Sequence, residues 1–292
     1  MVIRTGESAA LRTSVARLMS GIVVAGMLLT ASSAHAVTAT WNTCVDGTDT
    51  GSACDPGGLT PSPMTGTGTG TNQVLTFQAI GDPTRLLTAE AFRTTNNLAP
   101  YGVITKLEIG IFEGGLGAGT EAAPQHAVDN IGPDEFILFK FGQDGYIPKS
   151  FRIGFNNGGD ADIVTYIGGA NGGGPTDILA KILLGTFNWD SFIANPGALG
   201  FTEETFLDVA VGADQLFSKN ASGRYLIIGA RNETDCSVTT TPCPTANSTD
   251  GGEDTFKIQQ VVSATPNVPE PSSLLLLVTG LVGLAPLVRR RK

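Results

Sequence analysis

The side chains best suited to chemistry in this 292-residue chain are acidic and amide groups gathered in two short stretches. Asp129, Asn130 and Asp134 lie just before one expected strand, and Asp160 and Asp162 close the run Asn156-Asn157-Gly-Gly-Asp160-Ala-Asp162 between two others. Calcium takes six to eight oxygens from carboxylates, amides and backbone carbonyls, and loops rich in Asp, Asn and Gly supply them. If the two loops converge, these five residues form a calcium cage, and calcium is the one cofactor the sequence points to. Otherwise the Asx side chains cap their own turns, and Asp160 and Asp162 face water.

Other chemistries find less support. Apart from His35 near the N-terminus, His126 is the single imidazole, and it is read as a loop hydrogen-bond donor. No nucleophile elbow, paired-histidine zinc motif or phosphate-cradling loop with a following lysine occurs. The Gly-rich run from Gly168 to Gly174 is a flexible turn. The expectation is a non-enzymatic protein, with a secreted hydrolase built on some carboxylate pair as the distant alternative. Tyr166 and Trp189 are the one aromatic pair nominated for a sugar-binding face, which with calcium would make a lectin-like module.

The elements that must position these residues are strands. The chain has 38 Gly and 16 Pro while 15% of its residues are charged, a composition of many turns rather than of long helices. Strand patterns recur at Gln73 to Ile80, Val103 to Phe112, Glu135 to Phe141, Ser150 to Phe155, Asp162 to Ile167, Ile178 to Leu184, Thr205 to Val211, Arg224 to Ala230 and Thr255 to Val262. Ile178 to Leu184 also reads as a short helix. The fold class expected is all-β, a single sandwich or jelly-roll-like body over residues 73–266. Residues 37–72, rich in Thr and Gly, are expected to be linker. Between residues 37 and 268 there are 11 basic and 25 acidic residues, so the body repels phosphate backbones and nucleic acid is excluded as its partner.

The two ends read as addresses. Arg4, Arg12 and Arg17 precede the apolar stretch Gly21 to Leu29 and then Ala34-His35-Ala36. That order is a secretory signal, residues 1–36, cut by signal peptidase before Val37. At the other end Val268-Pro269-Glu270-Pro271 leads into an apolar run from Leu274 to Val288, followed by Arg289, Arg290, Arg291 and Lys292. At ~1.5 Å per residue a helix from Ser272 to Val288 spans roughly 25 Å, enough for a membrane crossing with its flanks snorkelling and its cations held on the cytoplasmic side.

Motif, apolar helix and terminal cations together resemble the PEP-CTERM sorting signal of Gram-negative bacteria, residues 267–292 in this chain. The resemblance implies recognition and cutting by exosortase, a membrane-embedded enzyme. It further implies transient anchoring in the inner membrane with the body in the periplasm, and then a place at the cell surface or in an extracellular matrix, often with exopolysaccharide. Further segments carry a second resemblance: Phe112-Glu-Gly-Gly-Leu-Gly117, Pro124-Gln-His-Ala-Val-Asp-Asn130, Phe151-Arg-Ile-Gly-Phe155, Tyr225-Leu-Ile-Ile-Gly229 and Asp254-Thr-Phe-Lys257. In this order they resemble the exosortase-dependent surface protein family, whose members look like single secreted β-rich domains and bring no enzymatic activity.

In an exported chain four cysteines suggest disulfides. Three connectivities exist; the local one, Cys44 with Cys54 and Cys236 with Cys243, needs no long-range closure and is the one expected. Zinc is the alternative, disfavoured by spacing and by the shortage of histidine.

Overall fold

The computed structural model describes residues 37–44, 62–65, 74–96, 100–112, 114–119, 127–130, 133–156, 161–169, 177–231 and 254–265. Most of them lie in two antiparallel sheets. In the first, β15 (Thr255–Ala264) is interior, with β10 (Ile147–Asn156) and then β13 (Asp214–Leu216) on one side. Its other edge pairs with β1 (Thr38–Asn42), β8 (Val128–Asp129) and β7 (Gly115–Ala118), which carries β6 (Ile109–Phe112) beyond it. The second sheet runs β12 (Phe201–Phe206), β11 (Ile163–Gly168), β14 (Tyr225–Ala230), β9 (Glu135–Phe141), β4 (Asp82–Arg93), β3 (Leu75–Ala79) and β2 (Met64–Thr65), with β5 (Thr105–Leu107) also on β4.

Because side chains alternate across a strand, the inner strands of the second sheet serve two cores. Ile137, Phe139 and Phe141 of β9, with Leu226 and Ile228 of β14, meet Trp41, Phe151 and Ile258 from the first sheet. The intervening Phe136, Leu138, Tyr225 and Ile227 pack on the opposite face. There they meet Ile178 and Ile182 of α1 (Ile178–Leu183) and Trp189 and Phe192 of α2 (Trp189–Ala194). The body is therefore a sandwich with a third, partial layer of short helices. Strands buried on both faces explain the near-continuous apolar runs of β9 and β14. Gly115 on β7 has φ +127°, and a Cβ there would run into the Ile258 carbonyl oxygen, so the β7–β15 approach requires glycine.

Several sequence expectations need correction. Regular structure begins at Thr38 rather than near Gln73: β1 pairs with β15 from Thr38↔Ala264 to Asn42↔Gln260, and Trp41 is fully buried with its indole N–H donating to the Arg85 carbonyl at 3.2 Å. Ile178 to Leu184 is helical. Asp177 caps it by accepting from the Ala180 N–H at 3.1 Å, which outweighs the β-branched residues, and Ile178 and Ile182, four apart, face the sheet. The strand expected from Thr205 to Val211 lies earlier, at Phe201–Phe206; the chain then turns at Asp208, whose φ of 52° is incompatible with a ladder. The 12-residue β4 was not anticipated at all. No described helix is long and apolar enough to cross a membrane, and the run from Leu274 to Val288 lies outside the described residues.

Candidate functional site

Of the five residues nominated for calcium, Asn130 and Asp162 do come together, through Asp254 and Arg231. The Asp254 carboxylate accepts from the Asp162 N–H at 2.7 Å and from Asn130 Nδ2 at 3.3 Å, while the Asp254 N–H donates to Asn130 Oδ1 at 2.9 Å. Asn130 Nδ2 also donates to the Arg231 carbonyl at 2.8 Å. Asp162 accepts from the Asp208 N–H at 3.0 Å and faces the Arg231 guanidinium at 3.4 Å. Five chain segments from both sheets are thus clasped at one end of the sandwich. The cation between the loops is a guanidinium from the protein itself.

Of the other nominees, Asp129 directly adjoins the clasp, since it precedes Asn130 and its ladder partner Thr255 follows Asp254. Asp129 pairs with Thr255 in the β8–β15 ladder, and Asp134 exchanges backbone bonds with Thr94, whose N–H and hydroxyl lie 3.0 Å from the Asp134 carbonyl and N–H respectively. Asp160 lies outside the described residues. Among the described residues no three acidic, histidine or cysteine side chains are grouped to hold a metal ion. The Asp162 carboxylate is thus engaged by the Asp208 N–H and Arg231, and the Asn130 amide oxygen by the Asp254 N–H.

Tyr166 and Trp189 are neighbours, with ring centroids 6.1 Å apart in an edge-on arrangement, but they are 4% and 5% exposed. Trp189 stacks on Phe136 at 4.5 Å, beneath the sheet-facing side of α2. Stacking on a sugar needs an open ring face, so the nomination is corrected: these rings build the second core. They also line a shallow pocket with Asp134, Glu135, Val164 and Ile193. Nearby, burial pushes the Tyr225 phenol well above the usual range, and its hydrogen bond to Asp177 at 2.9 Å acts in the same direction.

The geometry closest to the sorting segment is at the end of β15. The Thr265 N–H and hydroxyl both donate to the Val37 carbonyl, each at 2.9 Å. The first residue after the expected signal cleavage and the last described residue before the sorting segment are therefore neighbours. Arg85 reaches the same carbonyl at 3.4 Å and pairs with Asp82 at 2.6 Å. Hydrogen bonds from the Thr84 hydroxyl and N–H hold the Asp82 carboxyl below its ordinary range. Ile80, at the adjacent β3–β4 turn, donates its N–H to the Thr40 carbonyl at 2.9 Å and leaves its side chain exposed.

Cys44 is buried and disulfide-bonded. Cys54, Cys236 and Cys243 lie outside the described residues, as do His126, Ala34, Ala36, the Val268-Pro269-Glu270-Pro271 motif and the cations from Arg289 to Lys292. Asp254 opens one of the segments that carry the family resemblance, but its place in the clasp, Arg231 and the Val37–Thr265 contact were not foreseen, since their partners are distant in sequence.

Compared with known proteins, residues 267–292 match the PEP-CTERM protein-sorting motif. No curated protein and no solved structure matches the chain.

Proposed function

Starting from a chain that carries an exosortase-directed sorting motif and is thereby an exported protein processed at the membrane, we propose that its body is a non-enzymatic component of the cell surface or extracellular matrix. On this reading signal peptidase frees Val37, and the apolar run from Leu274 to Val288 holds the chain in the inner membrane while the body folds outside. Exosortase then removes the tail at the Pro269-Glu270-Pro271 motif. The observation that carries the reading is the sorting motif following directly on β15, with a single residue between Thr265 and the matched segment.

The inner organisation supports a scaffold. The clasp of Asn130, Asp162, Asp254 and Arg231 directs its polar groups at backbone and at each other, and the large aromatics are spent on two cores. The body's resemblance to exosortase-dependent surface proteins agrees with that role, and association with exopolysaccharide is the setting we assign to it.

Fractionation of the native host tests the proposal. The wild-type chain is expected at the surface or in the matrix, and Glu270→Ala is expected to accumulate as a larger, membrane-retained form. Wild-type protein found only in the cytoplasm, or Glu270→Ala released like wild type, would overturn it.

A further inference from the structure

The place where the chain leaves the body constrains how the motif can be reached. Thr265 is fixed by two hydrogen bonds to Val37, and β15 before it is paired along both edges with nearly every residue buried. Only Pro266, Asn267 and Val268 separate this anchored end from Pro269. At full extension four steps cover about 13 Å. A folded body of this length has a radius of gyration of roughly 17 Å, so it cannot stand clear of an enzyme working at the motif. The apolar run begins at Leu274, nine steps from Thr265 and up to about 30 Å away, so the bilayer need not touch the body.

The surface beside this exit is apolar at its tip. Val37, just before the first strand, is 53% exposed and Ile80, in the β3–β4 turn, is 43% exposed; Arg85 reaches the Val37 carbonyl and pairs with Asp82, and the Ile80 N–H bonds to the Thr40 carbonyl. Resting on the sorting reading above, we infer that this corner, Val37 and Ile80 with Arg85, is a docking surface for the outward face of the processing enzyme. The short tether sets its position against that face, and the exposed apolar side chains are covered when the motif is engaged. The body is then part of what the enzyme recognises, in addition to the linear motif.

The test is a pulse–chase of the full chain in the native host, following conversion of the membrane-retained precursor. Ile80→Glu is expected to slow conversion by about three- to tenfold, the effect of denying a partly exposed apolar side chain its burial at an interface. Its melting temperature should match wild type, because Ile80 lies outside the core. In a chain with eight Gly/Ser residues inserted after Thr265, the Ile80→Glu and Ile80 forms are expected to convert at the same rate, since the body is no longer held against the enzyme. Conversion of Ile80→Glu at the wild-type rate, or a defect that persists with the long tether, overturns the inference. Binding of the purified full chain to vesicles of phosphatidylethanolamine and phosphatidylglycerol that Ile80→Glu abolishes would assign the corner to lipid and overturn it as well. Glu270→Ala runs in parallel: release of that variant removes the sorting reading itself, whereas its retention with unimpaired Ile80→Glu removes only the docking surface.

Discussion

Truncating Asp254 to alanine should open the clasp that joins the two sheets. The substitution removes the acceptor for the Asp162 N–H at 2.7 Å and for Asn130 Nδ2 at 3.3 Å, while the backbone bonds between residues 254 and 130 stay available. A short hydrogen bond to a carboxylate contributes about 1.5–3 kcal/mol and the longer one under about 1 kcal/mol, for a total of roughly 2–4 kcal/mol. In a domain of this size each kcal/mol moves the melting temperature by about 2–4 °C, so Asp254→Ala should melt about 4–16 °C below wild type. Asp254→Asn keeps an oxygen for Asp162 but turns an amide donor toward Asn130, and should lose less than half as much. Thermal unfolding of residues 37–266 by circular dichroism reads both. A shift under about 2 °C for Asp254→Ala, or equal shifts for the two variants, would refute the reasoning that this carboxylate joins the sheets.

Trp41→Ala should cost about 3–5 kcal/mol in denaturant unfolding, since a fully buried indole of β1 fills the main core; an unchanged midpoint would return residues 37–44 to the status of linker. Replacing EDTA with millimolar calcium should leave the melting temperature unchanged, because Asp162 is already committed to Arg231 and to the Asp208 N–H; a rise would reveal a site completed by residues such as Asp160. The raised Tyr225 phenol predicts alkaline weakening: above pH ~10 the unfolded phenol ionises while the folded one stays neutral, so stability present below that pH falls as pH rises further. Tyr225→Phe should flatten that loss in pH-dependent unfolding.

What the sequence made legible follows from physical range. β9 was read with its observed bounds, Glu135–Phe141, because burial on both faces leaves a continuous apolar run. β4 was hidden by Asp82, Arg85 and Glu90, whose charges are matched in the fold, Asp82 and Arg85 by each other and Glu90 by Lys106, each at 2.6 Å. The two helices have six residues each and are fixed by Asp177 and Asn188 caps and by contact with the sheet, so no 3.6-residue period has room to show. Composition misplaced the start of the fold, because a single buried Trp41 outweighs the Thr/Gly-rich text around it. For the candidate site, Asn130 and Asp162 were nameable as loop residues, but the residue that joins them, Asp254, is 124 and 92 positions away. The sorting segment was readable in full because its signal is linear: motif, apolar run and cations in one order.

The most direct test of the central claim is the intact mass of the protein recovered from the surface of its own host, read together with its terminal peptides. The account predicts a chain that begins at Val37, ends at or near the Pro269-Glu270-Pro271 motif and lacks everything from Leu274 onward. Recovery of surface protein still ending at Lys292 would contradict it.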